Sequence, residues 1–315
     1  MRPGRGSRPR TRTRPLHTEA DAGFVVAVDR GRFTAVVGDR TVTAMRAREL
    51  GRRAVVVGDR VGIVGDTSGE VDALARIVRI EPRTTVLRRT ADDTDPVERV
   101  VVANAGQLVI VTALADPPPR VGFIDRCLVA AFDAGLDPLL CLTKSDLATP
   151  DELLGLYGDL DITAVTSSRD ADPMQLRERL AGRVSVFVGH SGVGKSTLVN
   201  QLVPDAYRVV GTVNTVTGRG RHTSSSAVAL PLPEGGWVVD TPGVRSFGLA
   251  HVRPADVLAG FSDLATGAQE CPPGCEHQQA SESCTLDAWV RAGHATQARL
   301  DSYRRLLGAR LADPD

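Results

Sequence analysis

The chain has 315 residues, of which 42% are hydrophobic and 24% are charged, and its 38 basic residues balance its 38 acidic residues. These values are close to the averages for soluble globular proteins, and they exclude a fibrous, collagen-like or wholly disordered chain. No run approaches the roughly 18–20 apolar residues that a membrane-spanning helix needs, and the charged start lacks the apolar segment of a secretory signal. We therefore expect a cytoplasmic protein of two or three domains.

Residues 1–23 form a basic arm, in which positions 2, 5, 8, 10, 12 and 14 are arginine and no acidic residue precedes Glu19. A segment rich in Pro, Gly and Arg cannot bury a core, so we expect the arm to be disordered. It is either a solubilising tail or a phosphate-seeking arm that folds onto RNA. The sequence leaves both interpretations open.

Lysine is rare in this chain, since only Lys144 and Lys195 occur among the 38 basic residues. Lysine is a compact point charge on a flexible stem, whereas arginine is a wide planar fork. A chain that uses arginine almost everywhere keeps lysine where arginine cannot serve. The two lysines therefore indicate two tight sites, and both fall in the motifs described below.

Residues 24–85 contain five short apolar segments separated by turn residues such as Gly-Asp pairs. The predicted strands are 24–28, 33–37, 41–45, 60–64 and 75–80. Five short strands in this length favour a small barrel of the OB type, with an SH3-like barrel as the alternative. We expect residues 86–99 to be a polar linker.

From residue 100 to 249, apolar strands alternate with helical stretches, the pattern of an α/β domain with a largely parallel sheet. The predicted strands are 108–111, 138–142, 162–165, 184–188, 227–230 and 237–239. Cys127 and Cys141 lie in apolar stretches of this domain and are expected in its core. Residues 250–315 form a third, mostly helical domain, with a helical tail over 286–311.

The strongest motif is GHSGVGKS at residues 189–196, which fits G-x-x-x-x-G-K-[ST] between a predicted strand and a predicted helix. Its glycines let backbone N–H groups converge on phosphates, and the helix N-terminus adds a positive dipole. Lys195 is predicted to reach the β and γ phosphates, and Ser196 to ligate Mg²⁺. The predicted nucleotide contacts in this segment are Gly189, His190, Ser191, Gly192, Val193, Gly194, Lys195, Ser196 and Thr197. The motif indicates a protein that binds a nucleoside triphosphate.

Thr143-Lys144-Ser145-Asp146 ends another predicted strand and resembles the element with which GTPases read guanine. The Asp146 carboxylate would accept hydrogen bonds from N1–H and the exocyclic amine of the base, a pairing that adenine cannot offer. Lys144 would pack its stem along the base, and Thr166-Ser167-Ser168, with Ser167 as the assigned residue, could supply a weaker second contact. A helix N-cap is the alternative interpretation of this tetrapeptide.

Asp240-Thr-Pro-Gly243 follows the last predicted strand. In nucleotide-binding proteins with a phosphate loop, such an Asp holds the Mg²⁺ shell and the Gly amide senses the γ-phosphate. The Mg²⁺-binding switch threonine is expected between Ser196 and Asp240, and we assign it to Thr223. The base-reading element precedes the phosphate-binding motif in this chain, the reverse of the usual GTPase order. This reversal indicates a circularly permuted GTPase domain.

This permuted order, together with GRHT at 220–223 and DTPGVRSF at 240–247, resembles the ribosome small-subunit-dependent GTPase A family (RsgA/YjeQ type). The resemblance runs from about residue 24 to the C-terminal tail. It implies an N-terminal OB-fold, a circularly permuted GTPase domain and a C-terminal zinc domain. It further implies a role in late maturation of the small ribosomal subunit, which stimulates an otherwise slow GTP hydrolysis.

Cys271, Cys275, His277 and Cys284 lie within fourteen residues in a Pro- and Gly-containing segment. Three sulfurs and one imidazole make a closed set that suits a structural, tetrahedral Zn²⁺. Four protein ligands leave no open position, so we expect the ion to support folding rather than catalysis. In the family, the first two cysteines usually lie one residue further apart.

Val244 occupies the position after Gly243 where many GTPases have a water-orienting glutamine, and valine cannot orient water. We therefore expect slow intrinsic turnover, with the missing water-orienting element supplied by a switch residue or by the ribosome. The catalytic candidates are Lys195, Thr223 and His222. His222 either supplies the missing element or is a structural or RNA-facing residue. His190 is expected to be an exposed position of the phosphate-binding motif.

The sequence thus predicts a cytoplasmic, monomeric, Mg²⁺-dependent GTPase. It would dock on the RNA of the small ribosomal subunit through its barrel, zinc domain and basic termini, alongside other assembly factors. GTP binding would set the docked state and hydrolysis would promote release. The alternatives are a metabolite kinase with a phosphate-binding loop and a nucleotide-dependent RNA-binding regulator without a ribosomal role.

Overall fold

The computed structural model of the protein describes most of the chain. The described residues are 17–29, 31–51, 54–70, 72–89, 99–158, 160, 162–204, 227–241, 249, 252–278 and 284–309. Within these ranges, no helix combines the length and the apolar character needed to cross a membrane. Residues 1–16 of the basic arm lie outside them, so its predicted disorder remains a prediction.

The N-terminal unit is a closed five-stranded barrel. Its strands are β1 (Asp21–Asp29), β2 (Arg32–Val37), β3 (Arg40–Arg46), β4 (Arg60–Gly65) and β5 (Ala75–Ile80), with a short 3₁₀ turn at Arg48–Leu50. The strand order is β1-β2-β3-β5-β4, and β4 pairs back with β1 to close the barrel. Alternate apolar side chains, among them Val25, Phe33 and Ile63, fill its interior. The predicted OB-type barrel is confirmed, and each strand lies within three residues of its predicted bounds.

In the part of the α/β unit that the structure describes, there are six strands and four helices. The strands are β8 (Gln107–Ala113), β9 (Asp137–Thr143), β10 (Thr163–Thr166), β11 (Val184–Val188), β12 (Val228–Pro231) and β13 (Trp237–Asp240). The helices are α1 (Val121–Ala134), α2 (Asp151–Gly155), α3 (Met174–Leu180) and α4 (Lys195–Leu202). The sheet order is β10-β9-β8-β11-β13-β12, and all neighbours are parallel except β12 and β13.

Every residue of the central strand β8 is buried, because helices cover both faces of the sheet. Leu108 and Ile110 face a core shared with α1, whereas Val109 and Val111 face a second core shared with α3 and α4. The predicted parallel α/β domain is therefore confirmed, and the apolar runs of its strands follow from burial on both sides. Cys127 and Cys141 are buried in its cores, as predicted.

The segment between the two units contains two strands that the sequence analysis missed. β6 (Val86–Arg89) pairs antiparallel with β7 (Arg99–Ala103) in a separate two-stranded sheet. Residues 86–89 are therefore not the start of a linker. In β6, Leu87 is buried opposite Val102. The two consecutive arginines that follow Leu87 make this short segment look polar in the sequence.

Hydrogen bonds fix the barrel to the segment that follows it and to the α/β unit. The fully buried Asp59 carboxylate pairs with Arg83, with nitrogen-to-oxygen distances of 2.7 and 2.9 Å. The side-chain amide of Asn104 donates to the Gly58 carbonyl at 2.9 Å. In addition, β1 pairs with β12 at Ala27 and Val228, which joins barrel and α/β strands into one eleven-stranded sheet.

The C-terminal unit is helical. Its described helices are α5 (Pro254–Leu258), α6 (Ser262–Ala268), α7 (Leu286–Arg291) and α8 (Gln297–Ala309). The predicted single helical tail over 286–311 is thus two helices, because the chain turns at Gly293 with a φ of 83°. α8 packs on α1, where Arg305 donates from Nε to the buried Asp125 carboxylate at 3.0 Å.

Candidate nucleotide-binding cleft and metal cluster

Residues 189–196, here called the phosphate loop, connect β11 in the middle of the sheet to the N-terminus of α4. Gly192 and Gly194 have φ values of 83° and 89°, in the left-handed region that glycine adopts without strain. These turns direct the chain so that α4 begins at Lys195. A glycine-rich loop that ends at a helix N-terminus presents N–H groups and a positive dipole to an anion.

Two of the side chains predicted to act on phosphates and Mg²⁺, Lys195 and Asp240, lie in contact. The ammonium group of Lys195 forms an ion pair with the Asp240 carboxylate, and both side chains are mostly buried. Next to Asp240, the Thr241 hydroxyl donates to the Phe187 carbonyl at 2.7 Å and ties the end of β13 to β11. The Ser196 hydroxyl and the Asp240 carboxylate supply the hard oxygen donors that Mg²⁺ prefers.

Beside the phosphate loop lies a cleft of about 320 Å³. One wall is formed by residues 143–146, here called the base-reading loop, and residues 167–169, the second base loop. The other wall is formed by the phosphate loop and α4. The predicted contacts that line the cleft are Thr143, Lys144, Asp146 and Ser167 on the first wall and Gly192, Gly194 and Thr197 on the second. The structure therefore brings the base-reading and phosphate-binding motifs together around one space.

Backbone and side-chain hydrogen bonds hold the base-reading loop in place. The buried Thr143 hydroxyl donates to the Val193 carbonyl of the phosphate loop at 2.5 Å. The Ser145 amide donates to the Ser167 carbonyl at 3.2 Å, which links the two base loops. Lys144, whose φ is 56°, donates from its ammonium group to the Asp116 carbonyl. Threonine at position 143 thus reaches the phosphate loop despite its short side chain.

Sequence reasoning missed four residues that line the cleft, Leu147, Arg169, Leu198 and Gln201. Arg169 directly follows Ser168, so its position just beyond β10, which pairs with β9, was the available signal. Gln201 lies six residues beyond Lys195 on α4. No motif marks Gln201, because its role depends on a tertiary contact.

His190 is a correction to the sequence analysis, which expected an exposed side chain. The imidazole is half-buried and packs against Phe123 of α1, with ring centroids 4.0 Å apart. Burial, and secondarily the positive charge of Arg120, lower the pKa of His190 below its usual value. Its Nε2 atom is buried and has no hydrogen-bond partner among the residues that the structure describes. His190 therefore buttresses the phosphate loop against α1.

Several predicted site residues lie outside the described residues. They are His222, Thr223, Gly243 and Val244. Their assigned parts in Mg²⁺ binding, phosphate sensing and hydrolysis remain predictions. Lys195 is the catalytic candidate that the structure describes.

The C-terminal unit brings its four metal-ligand candidates together. The ligand atoms of Cys271, Cys275, His277 and Cys284 all lie within 4.8 Å of one another. The three sulfurs are 3.6, 3.3 and 3.7 Å from Nδ1 of His277. A tetrahedral zinc site with ordinary Zn–S and Zn–N bonds has sulfur-to-nitrogen edges of about 3.5 Å. The donor set and its spacing fit Zn²⁺, even though the first two cysteines are closer in sequence than is usual in the family.

Neighbouring groups orient this cluster. The Thr285 amide donates to the Cys271 sulfur at 3.4 Å. Arg304 of α8 donates to the His277 carbonyl at 3.2 Å and forms a two-point ion pair with Asp287, at 3.0 and 2.7 Å. Burial, with a smaller contribution from Arg304, lowers the pKa of His277 and favours the neutral imidazole that binds metals.

Comparison with known proteins gives consistent matches. The family model for the RsgA GTPase matches residues 80–250. The small ribosomal subunit biogenesis GTPase RsgA of Pseudomonas syringae pv. tomato is 40% identical over 265 residues, covering 81% of this chain and 75% of that protein. The protein of the same name from Azotobacter vinelandii is 40% identical over 272 residues, covering 83% and 76%.

Two solved structures share the fold. YjeQ from Thermotoga maritima aligns with a TM-score of 0.67 and 24% identity, covering 93% of this chain and 99% of that one. YloQ, described as a circularly permuted GTPase, aligns with a TM-score of 0.67 and 22% identity, covering 95% and 98%. The barrel, the permuted α/β unit and the helical C-terminal unit therefore form a known arrangement.

Proposed function

The chain belongs to the RsgA GTPase family, and from this premise we propose that it hydrolyses GTP in the maturation of the small ribosomal subunit. The protein is a GTPase, and its relatives carry the name small ribosomal subunit biogenesis GTPase. The observation that carries the proposal is the cleft, whose opposite walls are the base-reading loop and the phosphate loop. No feature of the described residues favours a metabolite kinase or a regulator without a ribosomal role.

Guanine recognition is assigned to the base-reading loop. Asp146 lines the cleft and would accept two hydrogen bonds from the guanine edge, while Lys144 would lie along the base. A site built to pair with two donors rejects a base that lacks them, because its own polar groups would be left unpaired. Ser167, from the second base loop, completes this edge of the cleft.

Phosphate binding is assigned to the phosphate loop and α4. Backbone N–H groups of residues 189–196 would hold the phosphates, and Lys195 would reach the β and γ groups. Ser196 and Asp240, with Thr223, would hold Mg²⁺, which neutralises charge that develops on the phosphate oxygens. The contact between Lys195 and Asp240 supports this assignment, because a cation and a metal-binding oxygen ligand then lie side by side.

Hydrolysis requires a group that orients the attacking water, and Val244 cannot serve. We propose His222 for this role, supplied or positioned by contact with the ribosomal subunit. A H222A variant is expected to keep GTP binding and to lose most of the turnover that subunits stimulate. If H222A keeps the full stimulated rate, His222 has no part in the mechanism.

The cysteine–histidine cluster (Cys271, Cys275, His277 and Cys284) is proposed to hold one structural Zn²⁺, which stabilises the C-terminal unit. The barrel, this unit and the basic termini would contact ribosomal RNA, since OB-type barrels commonly bind oligonucleotides. The protein would act in the cytoplasm as a monomer, together with other assembly factors. GTP would favour the docked state and hydrolysis would favour release.

The test is GTP turnover by the purified protein alone, with small ribosomal subunits and with large ones. We expect slow turnover alone and strong acceleration by small subunits only. A K195A variant, which is expected to be inactive in all three conditions, controls for contaminating enzymes. If the wild-type protein hydrolyses GTP at the same rate in all three conditions, that result would contradict the ribosomal role and leave the GTPase assignment intact.

A further inference from the structure

Two hydrogen bonds connect the walls of the cleft. Near the ends of the strands, the Thr143 hydroxyl donates to the Val193 carbonyl of the phosphate loop. Further out, the side-chain amide of Gln201 on α4 donates to the Arg169 carbonyl of the second base loop, at 2.6 Å. A carbonyl oxygen accepts only from an N–H or O–H group, so the amide nitrogen of Gln201 faces Arg169. Both Gln201 and Arg169 line the cleft.

The backbone of Gln201 is itself anchored. Helix α4 ends at Leu202, where the last carbonyls of a helix lack partners within the helix. The Arg177 guanidinium, on α3, donates to the Leu202 carbonyl at 3.2 Å and also to the Gln201 carbonyl. Only 22% of the Arg177 side chain is exposed. The Gln201 side chain therefore extends from a fixed point towards the second base loop.

The second base loop is held at its start by the sheet. The Ser167 amide donates to the Leu142 carbonyl at 2.8 Å, and the Ser167 carbonyl accepts from the Ser145 amide. The contact from Gln201 fixes the other end of the loop, at Arg169. Gln201 lies six residues beyond Lys195, about 9 Å further along the helix axis from the phosphate-binding end. Its contact therefore acts on the base side of the cleft.

We propose that Gln201 is a positioning residue for guanine recognition, which sets the width of the cleft by holding the backbone of Arg169 against α4. The inference rests on the proposed binding of guanine nucleotides. Gln201 acts through the second base loop, which places Ser167 opposite the base-reading loop. If the second base loop were held at one end alone, its polar groups would spend less time in the geometry that fits the base.

A Q201A variant is expected to bind both GDP and GTP about five-fold more weakly, the effect of one neutral hydrogen bond. The ratio of GDP to GTP affinity should stay the same, because the phosphate loop is unchanged. The preference for GDP over inosine diphosphate, which lacks the exocyclic amine, should decrease. A Q201K variant, which again supplies an N–H donor, should recover part of the lost affinity and preference.

The experiment is calorimetric titration of the full-length protein and its variants with GDP, GTP, inosine diphosphate and ADP in the presence of Mg²⁺. A Q297A variant is the matched control, because Gln297 of α8 also donates an amide hydrogen bond, to Asp301, but lies outside the cleft. Thermal unfolding of each variant, measured in parallel, reports any loss of folding. Q297A should bind all four nucleotides as the wild type does.

The outcomes separate the inference from the proposed function. Wild-type protein that prefers GDP to ADP, with Q201A unchanged, would overturn the inference alone. Weaker binding by Q201A with an unchanged preference for GDP over inosine diphosphate would also overturn it, because that result describes a merely structural residue. Wild-type protein that does not prefer GDP to ADP would overturn the proposed function and the inference with it.

Discussion

Replacing Arg305 by alanine is expected to destabilise the contact between the C-terminal helix α8 and the α/β unit. Asp125 of α1 is buried, and its carboxylate accepts hydrogen bonds from Arg305 at 3.0 Å and from the Tyr157 hydroxyl at 2.9 Å. The R305A variant removes the positive partner and leaves a buried carboxylate with the neutral Tyr157 donor. The guanidinium also lies over the Tyr157 ring, 5.1 Å from its centroid.

Removing one partner of a buried ion pair costs about 3–5 kcal/mol. Arg305 is 32% exposed and Tyr157 remains as a donor, so we expect the lower end of this range, about 3 kcal/mol near pH 8. Burial raises the pKa of Asp125, and the charge of Arg305 opposes that effect. Without Arg305 the pKa should rise further.

The sign of the pH dependence follows from this raised pKa. A carboxyl group whose pKa is higher in the folded than in the unfolded state penalises folding once it is ionised, and the penalty disappears as the pH falls through the folded pKa. The free energy lost by R305A should therefore be largest at the alkaline end of the pH range and should shrink as the pH falls through the raised pKa of Asp125. In the wild type the dependence has the same sign and is weaker, because Arg305 stabilises the ionised form.

The assay is urea unfolding at several pH values, followed by the fluorescence of Trp237 and Trp289. Trp237 lies in the α/β sheet and Trp289 in the C-terminal unit, so both sides of the contact are observed. A D125N variant is the control. It should lower the free energy of unfolding less than R305A does, because it buries no charge. A loss that is the same at every pH, or D125N as damaging as R305A, would refute the reasoning.

Four further variants test other parts of the structure. D146N should weaken GTP binding at least ten-fold, about 1.4 kcal/mol, and should create affinity for xanthosine triphosphate, whose extra carbonyl accepts a hydrogen bond from the new amide. Competition titration measures both affinities. If D146N still prefers GTP, Asp146 does not recognise guanine. C284S should lower the zinc content below one ion per chain and lower the unfolding temperature, measured by atomic absorption and calorimetry; an unchanged metal content would contradict the proposed ligand set. G58A should cost several kcal/mol or prevent folding, because an added Cβ would lie 2.0 Å from the Ala103 carbonyl oxygen. G31A, also at a positive φ but with no heavy atom of the described chain within 4 Å, should cost only about 1 kcal/mol in the same urea assay; equal costs would contradict the steric reasoning.

Most of the fold could be predicted from the sequence, because strong turn signals lie at the ends of most strands. Each predicted barrel strand matched an observed one, since Gly-Asp pairs and alternating apolar residues are local features. β6 was missed because Arg88 and Arg89 make a short strand look polar, although Leu87 is buried. The break between α7 and α8 was missed because a single glycine, Gly293, ends a pattern that otherwise continues.

At the candidate site, motifs with a fixed spacing could be found from sequence and long-range contacts could not. The phosphate loop and the base-reading loop are contiguous motifs, so the sequence analysis placed both before the cleft was known. The contact between Arg305 and Asp125 joins residues 180 positions apart. The contact from Gln201 to Arg169 and the packing of His190 on Phe123 likewise depend on how α4 and α1 meet the sheet.

The ion pair between Lys195 and Asp240 has a thermodynamic consequence for the order of binding events. A triphosphate that attracts Lys195 must draw the ammonium group away from Asp240. The triphosphate then faces an unpaired carboxylate. Mg²⁺ that attracts Asp240 must in turn displace an ammonium group. Mg²⁺ neutralises the Asp240 carboxylate, which repels the triphosphate, and the triphosphate neutralises the Lys195 ammonium group, which repels Mg²⁺. Binding of either ligand should therefore strengthen binding of the other, and by thermodynamic linkage the two effects are equal. With Lys195 and Asp240 in their proposed roles, we therefore expect the protein to favour the metal–nucleotide complex over either component alone.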